Sequence, residues 1–323
     1  MANHFVNKTF AMRNAFIMPE KNKIQWFPGH MKKGVEQIQA ALHNIDGVLE
    51  VHDARIPFSG RNNQLRDIIH VRPHVLLLNK SDLADLSRKG EIETKLTEQG
   101  IANVQFISCG GKDILKVMKN VVTPILLREV QARPRFRPDV HNHYNIMVIG
   151  VPNVGKSTIL NKLRQASTTN RKAAPVGAMP GVTRAVMNKV RVNFDPDMFV
   201  VDTPGILSPK IGNVDTGLRL TLCECIPSPR VGEDTMVDYL LFKLNKSQLF
   251  QYVKHYGLSE PTDDVLKLLS HIALKHKLVM KSNEISMTGG NRYRVDFVAA
   301  SRIVLKDFQQ GTLGLVMFDD DYL

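Results

Sequence analysis

The sequence has few of the residues that define several protein classes. Its three cysteines, Cys109, Cys223 and Cys225, are too few for a disulfide framework, which excludes a disulfide-stabilised secreted scaffold and favours a reducing compartment. No second Cys/His pair lies at zinc spacing from Cys223-x-Cys225, so packing is favoured over metal binding. No apolar run is long enough to span a bilayer. The chain also has no internal repeat and no low-complexity tract.

Acidic residues are scarce relative to basic ones. Lysine and arginine total 43 against 31 aspartates and glutamates, which gives a formal net charge of +12. This excess favours a polyanionic partner, with nucleic acid ahead of an acidic membrane surface, and a merely soluble basic protein is the alternative. The first acid is Glu20, after Lys8 and Arg13. That pattern is typical of a mitochondrial targeting segment, although the scarcity of arginine and serine leaves a frayed N-terminus as the alternative.

Apolar segments in the first two thirds of the chain alternate between strand-like and helical patterns. The 323 residues, 43% of them hydrophobic, are enough for two domains. Strand-like runs separated by helical segments predict a mostly parallel sheet with helices on both faces. A basic, proline-punctuated stretch over 128–143 reads as a linker. The predicted strands lie at 48–51, 74–79, 103–108, 144–149, 188–194 and 198–201.

The last third of the chain is predicted to be helical. Apolar residues recur at helical spacing over 232–246 and 259–277, and a third helix is predicted over 293–311, ending near Gly311. We therefore expect an N-terminal extension over 1–23, an α/β domain over 24–213 and a small α-helical domain over 214–323.

A phosphate-binding motif occupies the junction of one predicted strand and one predicted helix. Gly150 to Ser157 matches G-x-x-x-x-G-K-S, in which backbone N–H groups surround phosphate oxygens at a helix N-terminus. We expect Lys156 to reach the β- and γ-phosphates and Ser157 to ligate Mg²⁺. The other residues expected at the nucleotide are Asn153, Val154, Gly155 and Thr158.

A second motif, Asp-Thr-Pro-Gly at 202–205, ends the strand at 198–201. Asp202 is placed to hold Mg²⁺, directly or through water, and the Gly205 N–H is placed to face the γ-phosphate. Thr183, in the Gly/Pro-rich loop between the two motifs, is predicted as a second Mg²⁺ ligand. The alternative for Thr183 is an ordinary loop threonine.

A third motif, Asn79-Lys80-Ser81-Asp82, predicts a preference for guanine. A carboxylate at Asp82 matches the paired N1–H and amino donors of guanine, which adenine lacks, and such polar matching discriminates strongly. We expect Asn79 to lie with Asp82 in one guanine-binding turn, residues 79–82, called the guanine corner below. Lys80 is expected to lie across the phosphate loop. Ser108 and Cys109, in Ser-Cys-Gly-Gly, are expected to close on the base.

The motifs stand in a rotated order along the chain. The guanine-selecting motif precedes the phosphate loop, whereas an ordinary GTPase has the phosphate loop first. A circular permutation explains this order, because strand contacts do not depend on where the chain termini fall. The Mg²⁺ motif at 202–205 then leads directly into the helical domain, so that movement there would be transmitted to it.

These motifs together resemble the circularly permuted YlqF/RbgA-type GTPases. The resemblance rests on the permuted order and covers the chain from about residue 24 onward. It also includes "WFPGHM" at 26–31, "DARIP" at 53–57, "PGVTR" at 180–184 and "FQQGTLGLVMFD" at 308–319. It implies a P-loop GTPase fold, GTP or GDP with Mg²⁺ as ligands, and assembly of the large ribosomal subunit.

The resemblance also points to two catalytic features. Ile206 and Leu207 occupy the place of a water-orienting glutamine, so slow intrinsic hydrolysis is expected. His30 is the residue that the resemblance suggests instead, with a helix-start role as the alternative. Asn153 resembles the asparagine of GTPases that use K⁺ as an additional positive charge, with a local turn as the alternative.

The expected partners follow from charge and resemblance together. The resemblance implies contact with rRNA and ribosomal proteins of the large subunit, by a monomer in the mitochondrial matrix or peripherally on the inner membrane. A bacterial-type cytoplasmic location is the alternative. Basic residues of the helical domain favour RNA, although such runs are also found on solvated faces: Arg292, Arg294, Arg302 and Lys306. A nucleotide-dependent switch or scaffold that regulates a protein partner is the competing function.

Overall fold

The computed structural model describes most of the chain, with gaps between the described ranges. These are residues 12–18, 36, 38–61, 72–134, 143–168, 189–203, 205, 213–281 and 293–323. The sequence of residues 61–71 predicts a crossover helix between the strands at 48–51 and 74–79, and all of it except Arg61 lies outside the described residues.

A six-stranded sheet forms the centre of the α/β region. Its spatial order is β3-β2-β1-β4-β6-β5, and all neighbouring pairs are parallel except β5 with β6. This is the predicted mostly parallel sheet, and the fold class is confirmed. The strands are β1 (Gly47–Asp53), β2 (His74–Asn79), β3 (Val104–Phe106), β4 (Tyr144–Ile149), β5 (Lys189–Phe194) and β6 (Asp197–Asp202).

The central strands carry continuous apolar runs because helices cover both faces of the sheet. Every residue of β1 is buried, as are all but the first residues of β2 and β4. The register sets the strand ends side by side: Asp53 of β1 lies opposite Asn79 of β2, and Val148 of β4 opposite Asp202 of β6. The connections run outward in opposite directions from β1 and β4, which makes their carboxyl edge the expected ligand site.

The helices of the α/β region lie between these strands in the sequence, and that at Lys89–Glu98 was not predicted. They are α1 (Lys89–Glu98), α2 (Ile114–Val117), α3 (Thr123–Gln131) and α4 (Lys156–Thr168), with a π-helical segment at Met118–Val122 joining α2 to α3. One boundary was wrong: residues 128–131, assigned to a linker, form the last turn of α3. Leu126 and Val130 are buried on that helix, so packing extends it into the basic segment.

The C-terminal region is mainly helical, as predicted, but also contains a short hairpin of strands. Its elements are α5 (Val214–Leu222), α6 (Glu233–Lys246), α7 (Gln251–Tyr256), α8 (Val265–Lys275), β7 (Val279–Lys281), β8 (Tyr293–Val295) and α9 (Phe297–Gln309). The predicted helix over 293–311 was wrong at its start. Residues 293–295 pair with β7, and α9 begins only after Asp296, whose carboxylate accepts from Ala299 N–H.

Both ends of the described chain pack onto other elements. Arg13 forms ion pairs with Asp238 and Asp263, and the Phe16 ring meets that of Tyr239 edge to face. One continuous apolar core includes residues from both sides of position 213, so the proposed domain boundaries remain a prediction. None of the helices in the described ranges combines the length and the hydropathy that a transmembrane span requires.

Candidate nucleotide-binding site

The phosphate loop between β4 and α4 requires its glycines. Gly150 has φ +148°, and a Cβ there would lie 2.2 Å from the carbonyl oxygen of Val51. Gly155 has φ +97°, and its Cβ would lie 2.4 Å from Asn79 Nδ2. Both positions therefore exclude a side chain, and the loop packs closely on β1 and β2. The loop leads directly into the N-terminus of α4, a geometry suited to binding phosphate.

Lys156 is buried beneath this loop. Its ammonium donates to the carbonyl oxygen of Val151 at 2.8 Å. Burial lowers the pKa of Lys156 to about 8, against an opposing effect of Asp202. A triphosphate bound at the loop would supply the negative charge that stabilises the protonated amine.

Ser157 and Asp202 form a pair of oxygen donors beside the loop. Their Oγ and Oδ2 atoms lie 3.5 Å apart. The other Asp202 oxygen is buried and has no hydrogen-bond partner among the described residues. A hydroxyl and a carboxylate fit Mg²⁺, which completes its coordination with phosphate oxygens and water. This also accounts for the finding that no group of three His, Cys, Asp or Glu within the described ranges is arranged to hold a metal.

Gly205 lies directly against the phosphate loop. A Cβ at this position would be 2.8 Å from the backbone of Pro152 and 3.0 Å from Lys156 Nζ. Only glycine fits that space, and the proximity suits an N–H group that meets a γ-phosphate. Four other residues discussed above lie outside the described residues. They are the predicted site residues His30 and Thr183, and Ile206 and Leu207, which occupy the place of a water-orienting glutamine.

Asn79 joins the guanine-selecting motif to the two loops beside it. Its Nδ2 donates to the carbonyl of Val154 at 2.8 Å, and its Oδ1 accepts from Cys109 N–H at 3.2 Å. The Asp82 side chain is exposed, in the 3-10 turn Ser81–Leu83. The phosphate loop, the motif at 79–82 and the loop containing Ser108 and Cys109 are thus brought together at one edge of the sheet.

A buried charge network supports this corner, and such a network was not predicted from the sequence. Arg55 contacts both carboxylate oxygens of Asp53, at 2.9 and 2.8 Å. Lys80 has φ 58°, and its ammonium lies 3.3 Å from Asp53. Burial raises the pKa of Asp53, but the charges of Arg55 and Lys80 lower it overall. The available signal was the pair of charged residues at the end of a fully buried strand and just beyond it, Asp53 and Arg55. That Lys80 lies across the phosphate loop remains a prediction.

Asn153 connects the phosphate loop to the C-terminal region. It has φ 59°, is exposed, and its Nδ2 donates to the carbonyl of Glu224 at 2.9 Å. This leaves its Oδ1 atom available to a cation. Glu224 lies between Cys223 and Cys225, which are free and buried. Burial raises the pKa of the Cys225 thiol to about 12, so both the location and the protonation state suit packing. No local pattern marks a contact made by the Glu224 backbone.

Comparison with known proteins agrees with the geometry of the site. Residues 145–272 match the family described as 50S ribosome-binding GTPase. The chain is 45% identical to Mitochondrial ribosome-associated GTPase 1 of Xenopus tropicalis over 96% of the chain and 99% of that protein. It is 29% identical to Ribosome biogenesis GTPase A of Bacillus pumilus, over 92% and 98% of the two chains.

A solved structure has the same fold. The GNP-bound YlqF from T. maritima aligns with a TM-score of 0.55 and 22% identity over 88% of this chain and 97% of that one. Identity and coverage of the Xenopus relative establish the family, and the resemblance inferred from the motifs is confirmed. The chain is a GTPase of the circularly permuted family that includes Mitochondrial ribosome-associated GTPase 1.

Proposed function

We propose that this GTPase is an assembly factor for the large subunit of the mitochondrial ribosome. It binds rRNA in its GTP form and leaves the particle when GTP is hydrolysed. The observation that carries the proposal is the convergence of phosphate loop, guanine motif and Mg²⁺ donors at one sheet edge in a chain whose relatives are named for ribosomes. The relatives' names also support a mitochondrial location, and we propose a matrix protein, peripheral to the inner membrane, that acts as a monomer.

The proposed chemistry assigns a role to each residue of the site. Lys156 and the loop amides bind the phosphates, and the Gly205 N–H meets the γ-phosphate. Ser157 and Asp202, with Thr183, hold Mg²⁺, which neutralises charge on the phosphate oxygens when bound. His30 is proposed to assist the attack of water, since Ile206 and Leu207 have no group that could orient it.

A potassium ion is proposed as an additional positive charge at Asn153. Asn153 is an exposed residue of the phosphate loop, and because its amide nitrogen donates to the Glu224 carbonyl, Oδ1 is the side-chain atom that would bind the ion. K⁺ at this position would act electrostatically in place of an arginine finger. Hydrolysis should then be faster in KCl than in NaCl, because Na⁺ is too small to span the same oxygens. Equal rates in the two salts would refute the potassium site.

The proposed RNA face lies on β8 and α9. Arg294 and Lys306 are exposed, and Arg302 is exposed while pairing with Glu233. Such a face would contribute salt-dependent phosphate contacts. Arg292 lies outside the described residues.

Co-sedimentation with large ribosomal subunits tests the proposal. Binding should be strong with a non-hydrolysable GTP analogue and weak with GDP. With the GTP analogue bound, the double variant Arg294→Glu/Lys306→Glu should bind the subunits more weakly than wild type. The double variant Lys112→Glu/Lys116→Glu, an equal charge reversal on the α/β region, should bind them as wild type does. If the two double variants bind equally well, the RNA face is wrong. Nucleotide binding without any co-sedimentation would favour the competing function, a switch acting on a protein partner.

A further inference from the structure

The C-terminal tail, defined here as residues 313–319, contacts the guanine corner from the far end of the chain. Val316 forms a parallel bridge with Ala84. Its N–H donates to the carbonyl of Leu83 at 3.2 Å, and its carbonyl accepts from Asp85 N–H at 3.0 Å. These two hydrogen bonds lie immediately after Asp82, the residue expected to select guanine. The tail therefore fixes the backbone on one side of that carboxylate.

A second contact links the tail to the charge network beneath the corner. Phe318 N–H donates to the carbonyl of Arg55 at 2.9 Å. The side chain of Arg55 holds Asp53, and Asp53 in turn pairs with Lys80 of the guanine motif. The tail thus contacts the segments that follow both β1 and β2.

Asp319 anchors the tail through more hydrogen bonds than either of these contacts. Its carboxylate is fully buried and accepts from the N–H groups of Phe58 and Ser59, at 2.7 and 2.8 Å, and from the Ser59 hydroxyl. Arg219 donates to it at 3.0 Å. Burial raises the pKa of Asp319, although these hydrogen bonds oppose the shift. Because Arg219 belongs to α5, this carboxylate connects the corner to the helical region.

We propose that the C-terminal tail is a positioning element for guanine recognition, with Asp319 and Val316 as its principal residues. The inference rests on the proposed nucleotide function of the site. Among the described residues, the hydrogen bonds that the tail makes beyond its own neighbours in sequence reach the segments after β1 and β2 and Arg219 of α5, and none of them involves the phosphate loop. Loss of the tail's anchor should therefore weaken recognition of the base and leave the chemistry at the γ-phosphate unchanged.

The test is Asp319→Ala, measured by nucleotide titration and by single-turnover hydrolysis at saturating GTP. We expect GDP and a GTP analogue to bind about five- to tenfold more weakly, while the saturated rate changes less than about twofold. IDP lacks the exocyclic amine that Asp82 would bind. The ratio of GDP affinity to IDP affinity should therefore be smaller in this variant than in wild type. Asp319→Asn keeps an oxygen for both backbone donors and should restore part of the affinity.

Two further variants separate this role from a general loss of stability. Asp264→Ala removes the N-cap of α8, away from the tail, and should reduce stability without changing the GDP/IDP preference. Ser59→Ala removes one donor to Asp319 and should weaken GDP binding about two- to threefold. This variant tests the positioning role if Asp319→Ala does not fold. An unchanged preference in the folded Asp319→Ala or Ser59→Ala protein would overturn the proposal. Failure of Asp82→Asn to alter base preference would instead overturn the base site itself.

Discussion

The phosphate loop and the guanine corner lie at the same sheet edge but are built in different ways. The loop is local: Gly150 to Ser157 supply its backbone, its lysine and its hydroxyl, between one strand and the next helix. The corner is assembled from distant segments, and the contact between Phe58 and Asp319 spans 261 positions of sequence.

This difference explains how the permuted chain keeps its site. A local motif survives any rotation of the termini, because its neighbours in sequence remain its neighbours in space. The corner depends on contacts between segments that are far apart in the sequence. We therefore expect changes in the loop to abolish chemistry, and changes around the corner to alter stability and base selection.

The largest effect is expected at the loop. Lys156→Ala should lower single-turnover GTP hydrolysis by about a thousandfold, because a charge aimed at the transferring phosphate is lost. The fold should survive, which circular dichroism would check. A folded variant with normal turnover would refute the assignment of Lys156.

The next effect tests the network beneath the corner. Arg55→Ala leaves the buried Asp53 carboxylate without its main partner and should cost about 3–5 kcal/mol of unfolding free energy in urea titration. The matched control is Arg88→Ala, which breaks an exposed pair with Glu91 and should change stability little. Equal losses of unfolding free energy for the two variants would show that the buried pair stabilises the fold no more than an exposed one.

Base selection at the corner should respond to Asp82→Asn. We expect GTP to bind about a hundredfold more weakly and xanthosine triphosphate to bind better, because an amide matches the xanthine edge. Titration with GTP and with xanthosine triphosphate measures this change in base specificity. If the affinity for GTP is unchanged, Asp82 does not read the base.

A smaller effect is expected where the loop meets the helical region. Asn153→Ala removes the exposed hydrogen bond to Glu224 and should reduce stability by about 0.5–1.5 kcal/mol. It should also remove the advantage of KCl over NaCl in hydrolysis. A variant that keeps the full salt effect would exclude Asn153 as the potassium ligand.

The same contrast determines what could be predicted from the sequence. The phosphate loop, the buried strands and the body of helix α8 were predictable because each is specified by neighbouring residues, although α8 begins at Val265 and not at 259 as predicted. The start of α9 was not, because Tyr293–Val295 pairs with β7 instead of continuing the helix. The contacts of Glu224 and Asp319 could not be predicted, because they join residues 71 and 261 positions apart and have no local sequence pattern.

The most direct test of the proposed function is single-turnover GTP hydrolysis with and without saturating mitochondrial large ribosomal subunits. Ile206 and Leu207 carry no group that could orient water, so the isolated protein should be slow. The particles should accelerate hydrolysis at least about tenfold, and small subunits at the same concentration should not. Acceleration of wild type but not of Lys156→Ala would place the stimulated reaction at this site. Equal rates with and without large subunits would contradict the proposed role in ribosome assembly.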